Sequence, residues 1–334
     1  MGSVGVPLAA SAGSRSPHGS RSLALSAGDT PPDDVAISTA LVRRLIASQF
    51  PQWSGLPVTP VATQGVDNAT YRLGHAMSVR LPRHSRWVGQ VAREQHWLPL
   101  LAPHLPLSVP VPLAEGTPTG EYPFPWSVHR WLDGERALPE RLADPRQAAA
   151  DLAQFLAALR RVDTAGGPPP EWSNGFRGVA MDDARDSAVA ARRLRSRIAA
   201  LEGLVDTGAL TAVWQAAVSA PAWEGPPVWI HGDPSPGNVL AVDGQLGAVI
   251  DFGTLAVGDP ACDLIGPWTL LPADARAVFR AVLPVDEATW ARGRGWALSA
   301  LLPSPGTLTD GDPVRAARAR QRLDELIADF RGHG

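Results

Sequence analysis

One 25-residue stretch, WIHGDPSPGNVLAVDGQLGAVIDFG from Trp229 to Gly253, constrains the fold of this chain more than any other. An apolar strand end (Val228, Trp229, Ile230) delivers His231-Gly232-Asp233, and Asn238 follows the aspartate by five positions. Two short apolar runs then flank Asp243-Gly244, a dipeptide whose tolerance of positive φ suits the tight turn of a hairpin. The second run, Ala248-Val249-Ile250, ends at Asp251-Phe252-Gly253. Folding back on that turn brings Asp251 beside Asn238.

Two carboxylates and an amide in this arrangement suit phosphoryl transfer, which asks a protein mainly to position reactants and neutralise charge. Asp233 is expected to accept or orient the proton of an attacking hydroxyl. Asn238 and Asp251 are expected to hold Mg²⁺, a hard cation that takes oxygen ligands and keeps several waters. His231 is expected to brace the loop rather than react. His-Gly-Asp or Asp-Phe-Gly alone is an ordinary turn sequence; the pair, with a hairpin between, points to chemistry.

With Gly258-Asp259-Pro260 and Asp263 downstream, these motifs resemble the aminoglycoside phosphotransferase family, which shares the protein-kinase-like fold and includes macrolide, choline and homoserine kinases. The resemblance runs from about Ala40 to beyond Trp268. It implies an α+β fold of two lobes, a small antiparallel β N-lobe and a larger, mostly helical C-lobe, with a nucleotide between them. It implies ATP- or GTP-dependent transfer of the γ-phosphate to a hydroxyl of a small molecule. An aminoglycoside-type antibiotic comes first as acceptor, with a macrolide or a choline- or homoserine-like metabolite as the alternative. The resemblance also makes Asp263 a support for the catalytic loop, whereas Asp259 reads as a helix cap before Pro260. A catalytically silent nucleotide-binding regulator is a second reading, disfavoured by the intact trio Asp233, Asn238 and Asp251. A protein kinase is disfavoured because no A-P-E segment follows Gly253.

Composition narrows the classes further. A chain of 334 residues buries a sizeable core and divides into two lobes. Its net charge of −3 argues against a nucleic-acid partner. The single cysteine, Cys262, excludes an internal disulfide framework and fits a reducing cytoplasm, where it reads as a small buried apolar residue. No apolar run approaches bilayer length, so no membrane association is expected. Residues 1–32, rich in Ala, Ser, Gly and Pro, read as a disordered extension without the build of a signal peptide. Residues 33–127 read as the nucleotide-binding lobe, 128–135 as a hinge and 136–334 as the helical lobe. The sequence does not separate monomer from dimer.

A helix is expected from Val35 to Pro51, with Leu41, Leu45 and Val42, Ile46 recurring at i+4. Strands follow at Val58–Thr63, Ala69–Gly74 and Met77–Leu81, a helix at Val88–Leu101, then strands at Val109–Leu113 and Phe124–Trp131. Helices are expected from Asp144-Pro145 onward, with an apolar stripe of Leu152, Phe155, Leu156, Leu159 and Val162. Others are expected at Arg192–Leu204, Leu210–Val218, Ala273–Val282 and Val314–Phe330.

The chain contains no lysine. The cation that a kinase places on its third strand therefore falls to Arg80, which alternation turns away from Met77, Val79 and Leu81. An edge-strand surface arginine is the plain alternative. Glu94, on the following helix, stands where the family's partner glutamate lies; alone it is an ordinary solvated charge. Gly65 and Asn68, in the turn between the first strands, offer backbone amides to phosphate, although a G-x-G-x-x-G pattern is missing. The resemblance assigns the purine edge to the hinge backbone around Arg130 and Leu132. A polyamine acceptor wants carboxylates, and the helical lobe offers Asp182, Asp183, Asp186, Asp310, Asp312, Asp324, Glu325 and Asp329. Most of these read as solvated faces paired with neighbouring arginines, including Arg185, Arg315, Arg318, Arg320 and Arg322. Trp172 and Phe176 would line an apolar pocket or, more simply, pack in the core.

Overall fold

Helix α1 (Thr39–Gln49) starts where the Ser38 hydroxyl accepts the Leu41 N–H at 3.2 Å, and Pro51 follows its end. Its stripe Leu41, Val42, Leu45, Ile46 is buried against the first sheet. This is a computed structural model, and it describes residues 35–62, 65, 67–181, 188–310 and 312–332. The expected extension of residues 1–32 lies outside these.

The first sheet contains β1 (Val58–Pro60), β2 (Asn68–Leu73) and β3 (Met77–Pro82). Helix α2 (Val88–Leu101) follows, then β4 (Pro112–Gly116) and β5 (Trp126–Arg130). The strand order is β1-β2-β3-β5-β4, antiparallel throughout. Strand β4 begins later than the sequence predicts, because Pro110 and Pro112 have no N–H to give a ladder. Its register against β5 also shifts between Pro112 and Ala114. Val79 and Leu81 of β3 point into the apolar core, while Ser78 and Arg80 face the cleft.

Trp126 is fully buried and lies directly over Gly116 of the neighbouring strand. A Cβ at Gly116 would stand 1.9 Å from the indole. Gly116→Ala should therefore displace Trp126 and cost about 1–3 kcal/mol, visible as a lower thermal midpoint with little change in the helical circular-dichroism signal.

The helical lobe opens with β6 (Glu135–Arg136) and α3 (Pro145–Arg161), capped by Asp144, which accepts the Arg146 and Gln147 N–H groups. Leu152, Phe155, Leu156 and Leu159 form its buried stripe; Val162 caps the helix instead of joining it. Helices α4 (Ala188–Ala199) and α5 (Thr207–Ser219) follow, then β7 (Val228–Ile230), β8 (Val239–Val242), β9 (Gln245–Val249) and β10 (Ala256–Gly258). The chain ends in α6 (Ile265–Leu270), α7 (Ala273–Val282), α8 (Glu287–Leu301), α9 (Pro305–Thr309) and α10 (Pro313–Gly332). Helix α3 packs on α7, and α5 on α8. Asp243 (φ 51°) and Gly244 (φ 78°) make the expected two-residue turn between β8 and β9. No helix among the described residues is long and apolar enough to cross a membrane.

Candidate active site

Strand β7 pairs with β10 and ends at Ile230, so His231-Gly232-Asp233 leave the sheet at its edge. Their backbone groups are held on several sides. The Asp263 carboxylate accepts the N–H groups of His231 (3.2 Å) and Gly232 (2.6 Å). Burial pushes that carboxyl up, against the pull of His231, Arg160 and the two amides. Arg177 Nε donates to the Gly232 carbonyl at 2.8 Å, and Thr254 Oγ1 to the His231 carbonyl at 2.7 Å. Gly232 has φ 89°, and a Cβ there would meet Thr254 Oγ1 at 2.7 Å, so glycine is required.

The buried His231 ring accepts the Asp233 N–H at Nδ1 (3.2 Å) and points Nε2 at the Ile250 carbonyl (3.0 Å). Those partners put its proton on Nε2. The ring also packs edge-on against Phe252, 4.6 Å between centroids. Asn238 donates from Nδ2 to the Asp233 carbonyl at 2.9 Å, and its own carbonyl accepts the Ile250 N–H at 2.8 Å. The hairpin thus sets Asp251 one residue beyond a direct bond to Asn238. Asp251 itself is left-handed (φ 66°, ψ 67°), a conformation that aspartate tolerates better than most residues.

From the other lobe, Arg80 Nη1 donates to both Glu94 oxygens at 2.9 Å. Its Nη2 donates to Asp251 Oδ1, also at 2.9 Å, a third partner that strand alternation does not foretell. Burial alone would lower the guanidinium's pKa, but Glu94 and Asp251 outweigh it and hold Arg80 above its usual range. Helix α2 is tied to the same loop by Arg93, whose Nη1 donates to the Gly253 carbonyl at 2.8 Å.

Behind the pair sits His129, fully buried with its Nε2 3.8 Å from Glu94. Burial, then Arg80, push its pKa down to about 3. Because this value lies below that of the unfolded chain, folding loses stability as pH falls from about 6.5 towards 3. His129→Leu should flatten that part of the profile, by up to about 1.4 kcal/mol per pH unit. Denaturant midpoints from pH 7 to 4 on both proteins measure it.

Arg80, His129, Arg177, Asp233, Asn238, Asp251 and Thr254 line one cleft of about 900 Å³, together with Gly65, Asn68, Arg130 and Leu132. Glu94, His231 and Asp263 are not among its lining residues and act on it through Arg80 and the loop backbone. The Asn68 side chain is buried towards Gln90 (3.4 Å). The Arg130 N–H donates to the Val111 carbonyl, whereas no hydrogen bond of the Leu132 N–H is found among the described residues. Asp67 also lines the cleft; burial and then Asp251 push its carboxyl up. The sequence marks Asp67 only as part of a turn.

Asn238 keeps its amide oxygen and Asp251 its second carboxylate oxygen, both hard donors. Among the described residues no cluster of three or more His, Cys, Asp and Glu side chains could cage a metal. Two oxygen ligands on an open cleft of this size fit Mg²⁺, which completes its shell with waters and phosphate oxygens.

A second recess of about 440 Å³ continues from Asp233 and Ser235 into the helical lobe. None of the carboxylates proposed from sequence for a polyamine that fall among the described residues lines it. Asp310 and Asp324 are exposed. Asp312 accepts the Val314 N–H at the start of α10. Glu325 pairs with Arg276, and Asp329 with Arg294 and the Trp290 indole. Asp182, Asp183, Asp186 and the Trp172 side chain lie outside the described residues, and Phe176 lines neither part of the cleft. Arg322, read as a helix-surface charge, is half-buried in the recess.

The fold is similar to that of a mutant aminoglycoside 2'-phosphotransferase-IIIa in complex with GDP. That likeness has a TM-score of 0.63 at 21% identity, covering 89% of this chain and 99% of the other. It is also similar to the macrolide 2'-phosphotransferase MphH from Brachybacterium faecium (TM-score 0.53, 23% identity, 86% and 97% covered). A third similar structure is the streptomycin–ATP complex of APH(2")-IIa (TM-score 0.53, 19% identity, 80% and 90% covered). No curated protein sequence matches the chain. The family model described as "APH: Phosphotransferase enzyme family" matches residues 58–296, and with two lobes of the expected kinase-like kind around these motifs, the chain belongs to that family of phosphotransferases.

Proposed function

We propose that the protein transfers the γ-phosphate of ATP or GTP to a hydroxyl of a small molecule. The observation that carries this reading is the convergence of Asp233, Asn238 and Asp251 on one cleft, with Arg80, itself paired to Glu94, bonded to Asp251 there. The triphosphate lies along the arginine-lined part of the cleft, with Arg80 countering its charge and the Leu132 amide meeting the base. Mg²⁺, held by Asn238 and Asp251, would neutralise charge on the phosphates when bound.

The acceptor hydroxyl sits at Asp233, whose carboxylate takes its proton. The hydroxyl oxygen forms the new P–O bond while the γ-phosphorus separates from the β–γ bridging oxygen. That oxygen leaves with the electron pair on the nucleoside diphosphate. His231 and Asp263 act through the backbone, keeping the Asp233 side chain aimed while its own amide and carbonyl are occupied.

An aminoglycoside remains the acceptor suggested by resemblance, with a macrolide or metabolite alcohol behind it. Coupled release of ADP or GDP over such a panel tests the reaction; absence of release with every acceptor would end the proposal. Asp251→Ala should weaken Mg²⁺-nucleotide binding by at least about tenfold, a loss of roughly 1.4 kcal/mol or more. Calorimetry with and without Mg²⁺ should show the variant to be nearly indifferent to the metal.

A further inference from the structure

The recess beyond Asp233 has an unusual charge for a site that would take a polyamine. Its described lining includes Arg177, Arg322, Ile265, Thr269 and Trp296, and Asp233 is its one carboxylate among the described residues. Arg177 is fixed by its Nε bond to the Gly232 carbonyl and a longer Nη1 contact to Asn174 (3.5 Å), both uncharged acceptors. Arg322, on α10, has no hydrogen bond or ion pair among the described residues. Its nearest acids are engaged elsewhere, Glu140 by Arg318 and Glu325 by Arg276 and Gln321. Burial lowers the pKa of Arg322 against the opposing pull of Glu140 and Glu325.

A guanidinium remains charged in proteins and offers five donors in a planar fork. Two such groups on one recess, each without a carboxylate bonded to it among the described residues, leave positive charge that an oxyanion would offset. Trp296 and Ile265 supply apolar surface beside them. A volume of about 440 Å³ lies in the ordinary range of small-molecule pockets.

We propose that the acceptor is an anionic alcohol with an apolar body. Its carboxylate or phosphate is held by Arg177 and Arg322, its body rests on Trp296 and Ile265, and its hydroxyl is presented to Asp233. A polycation meets two like charges there. This deepens the phosphotransfer reading above and rests on it.

The test uses the full chain with Mg²⁺ and ATP or GTP, following nucleoside diphosphate release. Acceptors come in matched sets, one hydroxylated aromatic or aliphatic skeleton ending in a carboxylate, a phosphate monoester, a neutral amide or an amine. Aminoglycosides and macrolides are run alongside. The carboxylate or phosphate member should exceed its amide and amine counterparts by at least about tenfold in kcat/KM, the worth of one charge-assisted hydrogen bond. Which of the two is preferred identifies the oxyanion. Arg322→Gln should raise KM for the anionic acceptor about tenfold and leave KM for the amide member unchanged, and Arg322→Lys should recover part of the loss. A structural role for Arg322 would move both acceptors together. Preference for amines or aminoglycosides, or a charge preference untouched by Arg322→Gln, overturns this proposal and leaves phosphotransfer standing. No turnover of any acceptor overturns both.

Discussion

Asp233→Ala should reduce phosphoryl transfer about a thousandfold, the middle of the range for losing a positioned general base, with nucleotide affinity nearly unchanged. The substitution is unusually clean. The bonds that shape the catalytic loop run through the Asp233 backbone, its amide to His231 Nδ1 and its carbonyl to Asn238 Nδ2. The side chain faces the cleft and makes no hydrogen bond among the described residues, so alanine removes the carboxylate and keeps the scaffold. Steady-state kcat and KM for nucleotide, with calorimetric nucleotide binding, measure the split. Full turnover in the variant would remove Asp233 from the mechanism.

The second large effect is one of stability. Glu94 is buried, Arg80 is mostly covered with 13% of its side chain exposed, and Arg80 also holds Asp251. Arg80→Met leaves the Glu94 carboxylate buried without its partner, which should cost about 3–5 kcal/mol. Replacing both, Arg80→Met with Glu94→Leu, removes the uncompensated charge and should restore most of that stability. Activity should not return, because the cation facing the phosphates is still missing. Urea midpoints and nucleotide binding on the two singles and the double form a cycle that separates these roles. If the double variant were as unstable as Arg80→Met, the cost would lie in packing rather than charge.

Asn68 stands at one end of β3, opposite Pro82, and Arg130 at the other, opposite Met77; with Gly65 and Leu132 they share a cleft because it runs along the sheet face that carries Ser78 and Arg80. The Arg80–Glu94 pair was legible because two local periodicities suffice to find it. Alternation turns Arg80 away from Val79 and Leu81, and the next helix offers one glutamate at the right height. The bond from Arg80 to Asp251 joins residues 171 apart in sequence, and no local pattern encodes it. Arg322 shows the reverse case. On a helix rich in arginine and acid it reads as a surface charge, and only packing decides which side of α10 faces the recess. Helix α8 escaped detection for a related reason. Arg292 is buried on Asp259, and Arg294 on Asp329, so the helix lacks the polar face that makes periodicity visible.

By itself the sequence determined the elements whose signals are local: the Asp243-Gly244 turn, the strand that delivers His231, the capped helices and the order of the motifs. Those follow from φ preferences, hydrogen-bond donors and apolar spacing within a few residues. Apart from the Arg80–Glu94 pair, the tertiary structure alone decided which charges end up paired and which face the cleft. A side chain's partner depends on how whole elements pack, and the burial that makes a charge costly or useful exists only once they have.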